Sequence, residues 1–240
     1  MFSPIKIPKT LIFIRHPESI GNAMSEDERA AHQVPNHRYH VTLRGKTQAK
    51  WAAAYVRRMV NDATLLPPVA FYQSTFLRTQ ELMSDILLEI RLSRNTAVTD
   101  SRLDEKWDGI FHELSRREIE ERYPEQLRIR ERGGYYHYRA PGGENCPDVE
   151  MRVRSLMHDC HEHHKEDTVL FTGHGRWFLI FKRLLYGYSL DWLEAERKND
   201  DSCPNASVTV FETEKDGYIL QHPCIVPWKG AVSETKTEFA

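Results

Sequence analysis

Short apolar runs that stop abruptly at basic, serine or histidine residues punctuate this chain. Leu11-Ile12-Phe13-Ile14 runs into Arg15-His16, and Val69-Ala70-Phe71-Tyr72 into Ser74, with Arg78 four residues on. Thr168-Val169-Leu170-Phe171 runs into Gly173-His174-Gly175. Runs this short, bounded by polar loops, predict buried strands. Between them the apolar period switches to that of a helix. Ala49, Ala52, Ala53, Val56 and Met59 form one stripe of a helix from an N-cap at Thr42 to about Val60. Met83, Ile86, Leu87 and Ile90 mark a helix within Phe76 to Leu92, and Val149, Val153, Leu156 and Cys160 one from about Asp148 to His164. Arg176 to Tyr186 is apolar nearly all round, which predicts a buried helix.

Weaker patterns complete the layout. Ala97-Val98-Thr99 predicts a short strand, and Asn205 to Phe211 with Tyr218 to Gln221 an antiparallel pair turned at Asp216-Gly217. Gly21 to His40, polar and interrupted by Pro35 and Asn36, reads as a loop. From about 100 to 140 the pattern turns irregular, with one amphipathic helix capped by Ser115, then Pro124 and the aromatic cluster Tyr135-Tyr136-His137-Tyr138. This segment is expected to form a lid over the sheet edge. Strand–helix alternation predicts a three-layer α/β/α sandwich with a mostly parallel central sheet and a small helical lid insertion. The expected organisation is one domain over residues 1–240, with a loose tail after 228.

Composition narrows the function classes. At 240 residues with 40% hydrophobic and 28% charged residues, the chain reads as an ordinary soluble globular protein. A net charge of −2 argues against a general nucleic-acid or membrane-surface binder. Cys146, Cys160, Cys203 and Cys224 have neither zinc-type spacing nor a close pair, so a reducing compartment is expected. Met1 to Thr10 has two prolines and no apolar core of a signal peptide, and no apolar run approaches the roughly 20 residues of a membrane span. A cytoplasmic location follows as the expectation.

If the three strong strands are parallel neighbours, Arg15, His16, Arg78 and His174 meet at one sheet edge, the edge where open α/β sheets bind ligands. Two guanidiniums and two imidazoles suit a phosphoryl group. An imidazole among cations, neutral at the attacking nitrogen, can form a phosphohistidine. Glycines on either side of His174 let backbone N–H groups approach a ligand at a helix N-terminus. Glu105, in Leu103-Asp104-Glu105, is a candidate proton donor, since a neighbouring phosphate favours a protonated carboxyl group. Taken alone, Glu105 reads first as a solvated surface carboxylate. His158, His161, His163 and His164 lie on the polar side of a helix and read as a solvated face before a metal site.

Together these motifs resemble the histidine phosphatase superfamily, in its phosphoglycerate-mutase-like branch. The family's Arg-His-Gly-Glu-(Ser/Thr) opening, with Asn three residues later, is similar to Arg15-His16-Pro17-Glu18-Ser19-Ile20-Gly21-Asn22. Its Leu-Thr-x-x-Gly-x-x-Gln-Ala stretch resembles Val41 to Ala49, and its Ser-x-x-x-Arg-(Ala/Thr)-x-Gln motif resembles Ser74 to Gln80, with Gln73 in place of a second serine. Leu103-Asp104-Glu105 with Gly109, Pro141-Gly142-Gly143-Glu144-Asn145 and Gly173-His174-Gly175 resemble its remaining motifs in order.

The resemblance implies a metal-independent phosphatase with no cofactor, acting on a small phosphomonoester. His16 would be the phosphorylated nucleophile, Arg15, Arg78 and His174 the phosphate clamp, and Glu105 the proton donor. Asn22, Ser19 and Gly175 are the implied substrate-binding positions. Two alternatives stay open: a phosphoglycerate-type mutase, for which Arg128, Arg130, Arg132 and Arg139 are candidates to hold a second anion, and a catalytically inactive member acting as a ligand-binding or interaction module. Pro17, where the family has glycine, supports the latter if that position needs positive φ.

Overall fold

A computed structural model describes residues 5–214 and 219–231, apart from the side chains at positions 26, 30 and 200. The chain runs through β1 (Thr10–Arg15), α1 (Ile20–Ala23), α2 (Glu26–Ala31), α3 (Leu43–Asn61), β2 (Ala70–Gln73), α4 (Leu77–Glu89) and β3 (Val98–Thr99). It continues through α5 (Arg116–Arg122), α6 (Pro124–His137), α7 (Cys146–His164), β4 (Thr168–Gly173), α8 (Gly175–Tyr186), α9 (Leu190–Glu196), β5 (Val208–Thr213) and β6 (Ile219–Gln221). The strands form one sheet in the order β3-β2-β4-β1-β5-β6. The first four are parallel, whereas β5 and β6 are antiparallel to their neighbours.

Alternation along β1 explains why its sequence is apolar throughout. Leu11 and Phe13 pack with α7 and α8 on one face, while Ile12 and Ile14 pack with α3 and α4 on the other. A strand covered on both faces has no position left for a polar residue. On the first face Phe13 lies against both Trp177 and Phe178, and Trp177 in turn stacks on Phe181. The all-round apolar α8 is buried as its sequence predicts.

The strand register levels the three motifs. Arg15 pairs with Gly173 across β1 and β4, and Gln73 with Thr172 across β2 and β4. His16, Ser74 and His174 therefore leave the sheet side by side at its carboxyl edge.

Several expectations change. The stretch 21–40 is not a plain loop: it holds α1, α2 and a 3-10 turn at Asn36–Arg38. Caps make these short helices, since Ser25 and Glu28 bond each other's backbone N–H groups reciprocally. Pro124 begins α6 instead of breaking the chain, because proline at a first helical position gives up only an N–H that would be unpaired anyway. The segment 187–200 contains α9, whose N-cap Ser189 accepts the Trp192 N–H. The turn expected at Asp216-Gly217 and the tail beyond 231 lie outside the described residues. No described helix is long and apolar enough to cross a membrane.

Gly45, in the first turn of α3, joins the fold to the site. A Cβ there would sit 2.0 Å from the carbonyl oxygen of Glu18, which already accepts the Thr42 N–H at 3.0 Å. Gly45→Ala is expected to destabilise the protein by about 1–3 kcal/mol, as overpacking does, and to lower activity by shifting the 16–19 loop. Urea denaturation checks this; an unchanged midpoint would count against the contact.

Candidate active site

His16 leaves β1 4% exposed, fixed by its own main chain: its N–H donates to Gly173 O, and its carbonyl accepts the Ala206 N–H and Asn205 Nδ2 at 2.9 Å. Its Nδ1 lies 2.7 Å from the Pro17 carbonyl oxygen. A carbonyl only accepts, so Nδ1 carries the hydrogen and Nε2 keeps its lone pair. Burial first, then Arg78 and Arg15, hold this imidazole well below its ordinary pKa, against the Pro17 bond that favours protonation. The described non-glycine residues with positive φ are Ala63, Arg91 and Ala206, so proline's fixed negative φ suits position 17.

Arg78 sits in the first turn of α4 and is 5% exposed. Its Nη1 donates to the backbone and side-chain oxygens of Asn36 at 2.9 and 3.1 Å, and its guanidinium lies over the Phe76 ring. Burial, partly countered by Glu105 and reinforced by Arg15 and Arg176, lowers its pKa to about 10. Arg15 is anchored by a bond to the Cys203 carbonyl. The Nε atoms of both arginines are buried without a hydrogen-bond partner. Native structures rarely leave such donors unmet, so the pair is a demand for acceptor oxygens.

His174 is fully buried, with its ring centre 5.2 Å from that of His16. Its Nδ1 is 3.5 Å from Arg78 Nη2, and its Nε2 is 2.8 Å from Ser74 Oγ. Burial, then Arg78, His16, Arg15 and Arg176, push its pKa well down. Two neutral imidazoles and two guanidiniums thus converge, as the sequence led us to expect.

Glu105 is brought to the same edge. Its Oε1 accepts the N–H groups of Lys106 and Trp177 at 2.9 and 3.2 Å, and its Oε2 that of Arg176 at 3.3 Å. The carboxylate therefore occupies the α8 N-terminus, where the helix dipole favours negative charge. The Arg176 and Trp177 amides, expected to face a ligand, face Glu105 instead. Gly175 lies against the Arg15 guanidinium, which a Cβ there would meet at 3.5 Å.

Ser19 and Asn22 cap α1: the Ser19 N–H and Oγ both donate to Asn22 Oδ1 at 3.1 Å. Asn205 Nδ2, bonded to the His16 carbonyl, also reaches Asn22 Oδ1 at 3.4 Å. Asn22 is thus tied to the loop that carries His16, and Ser19 is 2% exposed with its hydroxyl engaged in the cap. The histidines of α7 disperse: His161 bonds the Ile7 carbonyl, His164 bonds Asp167 and Tyr72, and His158 and His163 are exposed. Of the lid aromatics, Trp107 stacks on His112, Tyr136 bonds Glu150, and Tyr135 and Tyr138 line a cavity beside Arg176.

Sequence reasoning missed Asn36, Asn205 and Arg176. Asn36 holds Arg78 through both its carbonyl and its Oδ1, and Asn205 donates its Nδ2 to the His16 carbonyl; neither lies next to a strand-end motif that marks it. Arg176, paired with Asp108 at 2.6 Å, was legible only as a cation two residues after His174.

A family model described as the histidine phosphatase superfamily (branch 1) matches residues 11–225. The phosphoglycerate mutase-like protein AT74 of Arabidopsis thaliana is 32% identical over 154 residues, 63% of this chain and 46% of that protein, so the match spans under half of the relative's length. The broad-range acid phosphatase DET1 of Saccharomyces cerevisiae is 23% identical over 89% of each chain. Among solved structures, the alpha-ribazole phosphatase of Shigella flexneri shares the fold with a TM-score of 0.68 at 14% identity, over 96% of this chain and 98% of its own. With the motifs levelled at one sheet edge and the family model matched from the first strand to Ile225, the chain belongs to the histidine phosphatase superfamily.

Proposed function

We propose that the chain is a phosphoric monoester hydrolase that works through a phosphohistidine on His16, with Glu105 as proton donor. The observation that carries this reading is the His16 imidazole, neutral and hydrogen-bonded through Nδ1 to Pro17, with its Nε2 lone pair uncommitted. Arg15, Arg78 and His174 surround it as donors for the phosphoryl oxygens. Arg78 Nη2 donates to His174 Nδ1 at 3.5 Å, a long bond that an arriving phosphoryl oxygen can replace. The Ser74 hydroxyl, which can accept or donate, holds His174 Nε2 in either tautomer.

Glu105, a carboxylate before substrate arrives, takes up a proton as the phosphate dianion binds beside it. In the first step the Nε2 lone pair forms the N–P bond as the ester P–O bond breaks, and the leaving alkoxide takes the Glu105 proton. In the second, Glu105 removes a proton from water, whose oxygen attacks phosphorus, and the N–P electron pair returns to Nε2. Charge on the equatorial oxygens is met by two preorganised guanidiniums in a largely water-excluded site. The name of the yeast relative supports hydrolysis as the outcome. Backbone strain at position 17 gives the inactive reading no support, since Pro17 is not among the described residues at positive φ.

The decisive experiment is trapping. Brief reaction with a labelled phosphoester and an alkaline quench should leave acid-labile, base-stable phosphate on the protein, and His16→Ala should abolish label and turnover together. Label on a serine, or label surviving in His16→Ala, sinks the assignment.

Glu105→Gln should slow an alkyl phosphate by about 10²–10⁴-fold, the range of general-acid catalysis, while barely changing the burst phase of an aryl phosphate whose phenoxide leaves unprotonated. Equal losses in the two bursts would assign Glu105 to pocket shape.

The pH dependence follows from the lowered histidines. Attack needs neutral His16, and its pKa lies well below 6.5, so kcat/KM should hold as pH falls through 6.5 and decline only in more acid solution. Stability has the same sense: below about pH 6.5 the unfolded histidines take up protons that folded His16 and His174 do not, at about 1.4 kcal/mol per pH unit each. A pH–rate profile corrected for substrate ionisation checks the first part; an acid limb at or above 6.5 contradicts it.

A further inference from the structure

We propose that Arg152, which stands apart from the groups that meet the phosphoryl oxygens, is the positioning residue of the proton donor. The proposal rests on the hydrolase reading above and adds to it the side chain that decides where the Glu105 carboxyl group stands. Glu105 lies in an irregular stretch between the 3-10 turns Ser101–Leu103 and Gly109–Phe111, with no helix or strand to fix it. A general acid works only where its proton meets the leaving oxygen, so such a stretch needs bonds from outside.

Arg152, on α7, supplies those bonds on the chain before Glu105. Its Nη1 donates to the carbonyls of Arg102 and Asp104, both at 3.0 Å, and the second of these belongs to the peptide bond that leads into Glu105. Its other edge, Nε and Nη2, meets the two carboxylate oxygens of Glu144 at 2.7 and 2.8 Å. Glu144 then holds the chain after Glu105: its Oε2 accepts the Trp107 N–H at 2.9 Å, and its own N–H donates to the Trp107 carbonyl at 2.8 Å. One ion pair thus fastens the main chain on both sides of the acid. A planar guanidinium can do this because it presents donors along two edges at fixed angles, which an ammonium cannot.

Neighbouring bonds converge on the same few atoms. The Arg102 carbonyl also accepts Trp177 Nε1 at 2.7 Å, while the Trp177 N–H donates to Glu105 Oε1 at 3.2 Å. Arg152 therefore shares an acceptor with the residue whose amide seats the carboxylate. The Asp104 carboxylate accepts the Thr75 N–H and hydroxyl, each at 2.8 Å, which ties this stretch to the loop that carries Ser74. The four Arg152 bonds go to groups that frame Glu105, and none of them to the clamp of Arg15, Arg78 and His174.

The test separates a displaced acid from a damaged fold. In Arg152→Gln the burst phase of an alkyl phosphate should slow about 10²-fold, the cost of misplacing a reacting group by about 1 Å, while the burst of an aryl phosphate should barely change. In a Glu105→Gln background the same substitution should cost the alkyl burst little more, because residues that act as a unit are not additive. Arg152→Lys should match Arg152→Gln. Equal losses on the two esters, full additivity with Glu105→Gln, or full recovery by lysine overturns the proposal. If urea denaturation shows that Arg152→Gln does not fold, Glu144→Gln removes the ion pair while keeping an acceptor for the Trp107 N–H, and is read in the same way. Amide hydrogen exchange gives a reading without turnover: the Lys106 and Trp177 N–H groups, both held by Glu105 Oε1, should exchange faster in Arg152→Gln than in wild type. Faster exchange with no phosphate trapped on the wild-type protein would refute the hydrolase reading alone, and unchanged exchange with intact trapping would refute this inference alone.

Discussion

Arg78 is buried beside a second guanidinium, and no carboxylate forms an ion pair with either among the described residues, a placement that costs several kcal/mol before any ligand arrives. Much of the surrounding architecture answers that cost. Oxygen dipoles of Asn36 and the face of Phe76 replace the water that the guanidinium has lost. Burial, reinforced by the same cations, keeps both imidazoles neutral, so the charge that makes the site attract anions also helps keep His16 free of a proton. One constraint therefore governs binding and reactivity together.

That constraint also reaches the lid. The Asn36 N–H donates to both carboxylate oxygens of Glu113 at 3.1 Å, and Glu113 belongs to the irregular segment that leads into α5. The chain from Glu113 through Asn36 to Arg78 makes the position of the clamp depend on where the lid lies. At the opposite side, Arg176 connects Glu105 with Asp108 on the same segment. Gly109, at φ +55° and packed so that a Cβ would sit 2.1 Å from the Pro141 carbonyl oxygen, fixes where that segment turns. The segment is thus held at its base by backbone contact and over the site by polar bonds.

How much of this was legible in the sequence depended on whether a residue acts through its side-chain type. Strands β1, β2 and β4 were readable because burial on both faces leaves uninterrupted apolar runs, and the chemistry-bearing residues follow them directly. Helices α1 and α2 were not, because they are too short to show a period and are set by caps; the Ser25–Glu28 pair was the available signal. Helix α6 was not readable because its apolar positions show no period; Pro124 at its first position was the available signal. Asn36 and Asn205 were invisible because neither lies next to a strand-end motif that marks it.

The hydrogen bond from His16 Nδ1 ends on the carbonyl of the very next residue. That acceptor is main chain, so every amino acid that can occupy position 17 supplies it. The choice of which imidazole nitrogen keeps its lone pair is accordingly immune to side-chain substitution at its own partner, and the loop can drift in sequence, even to proline, without that nitrogen changing identity.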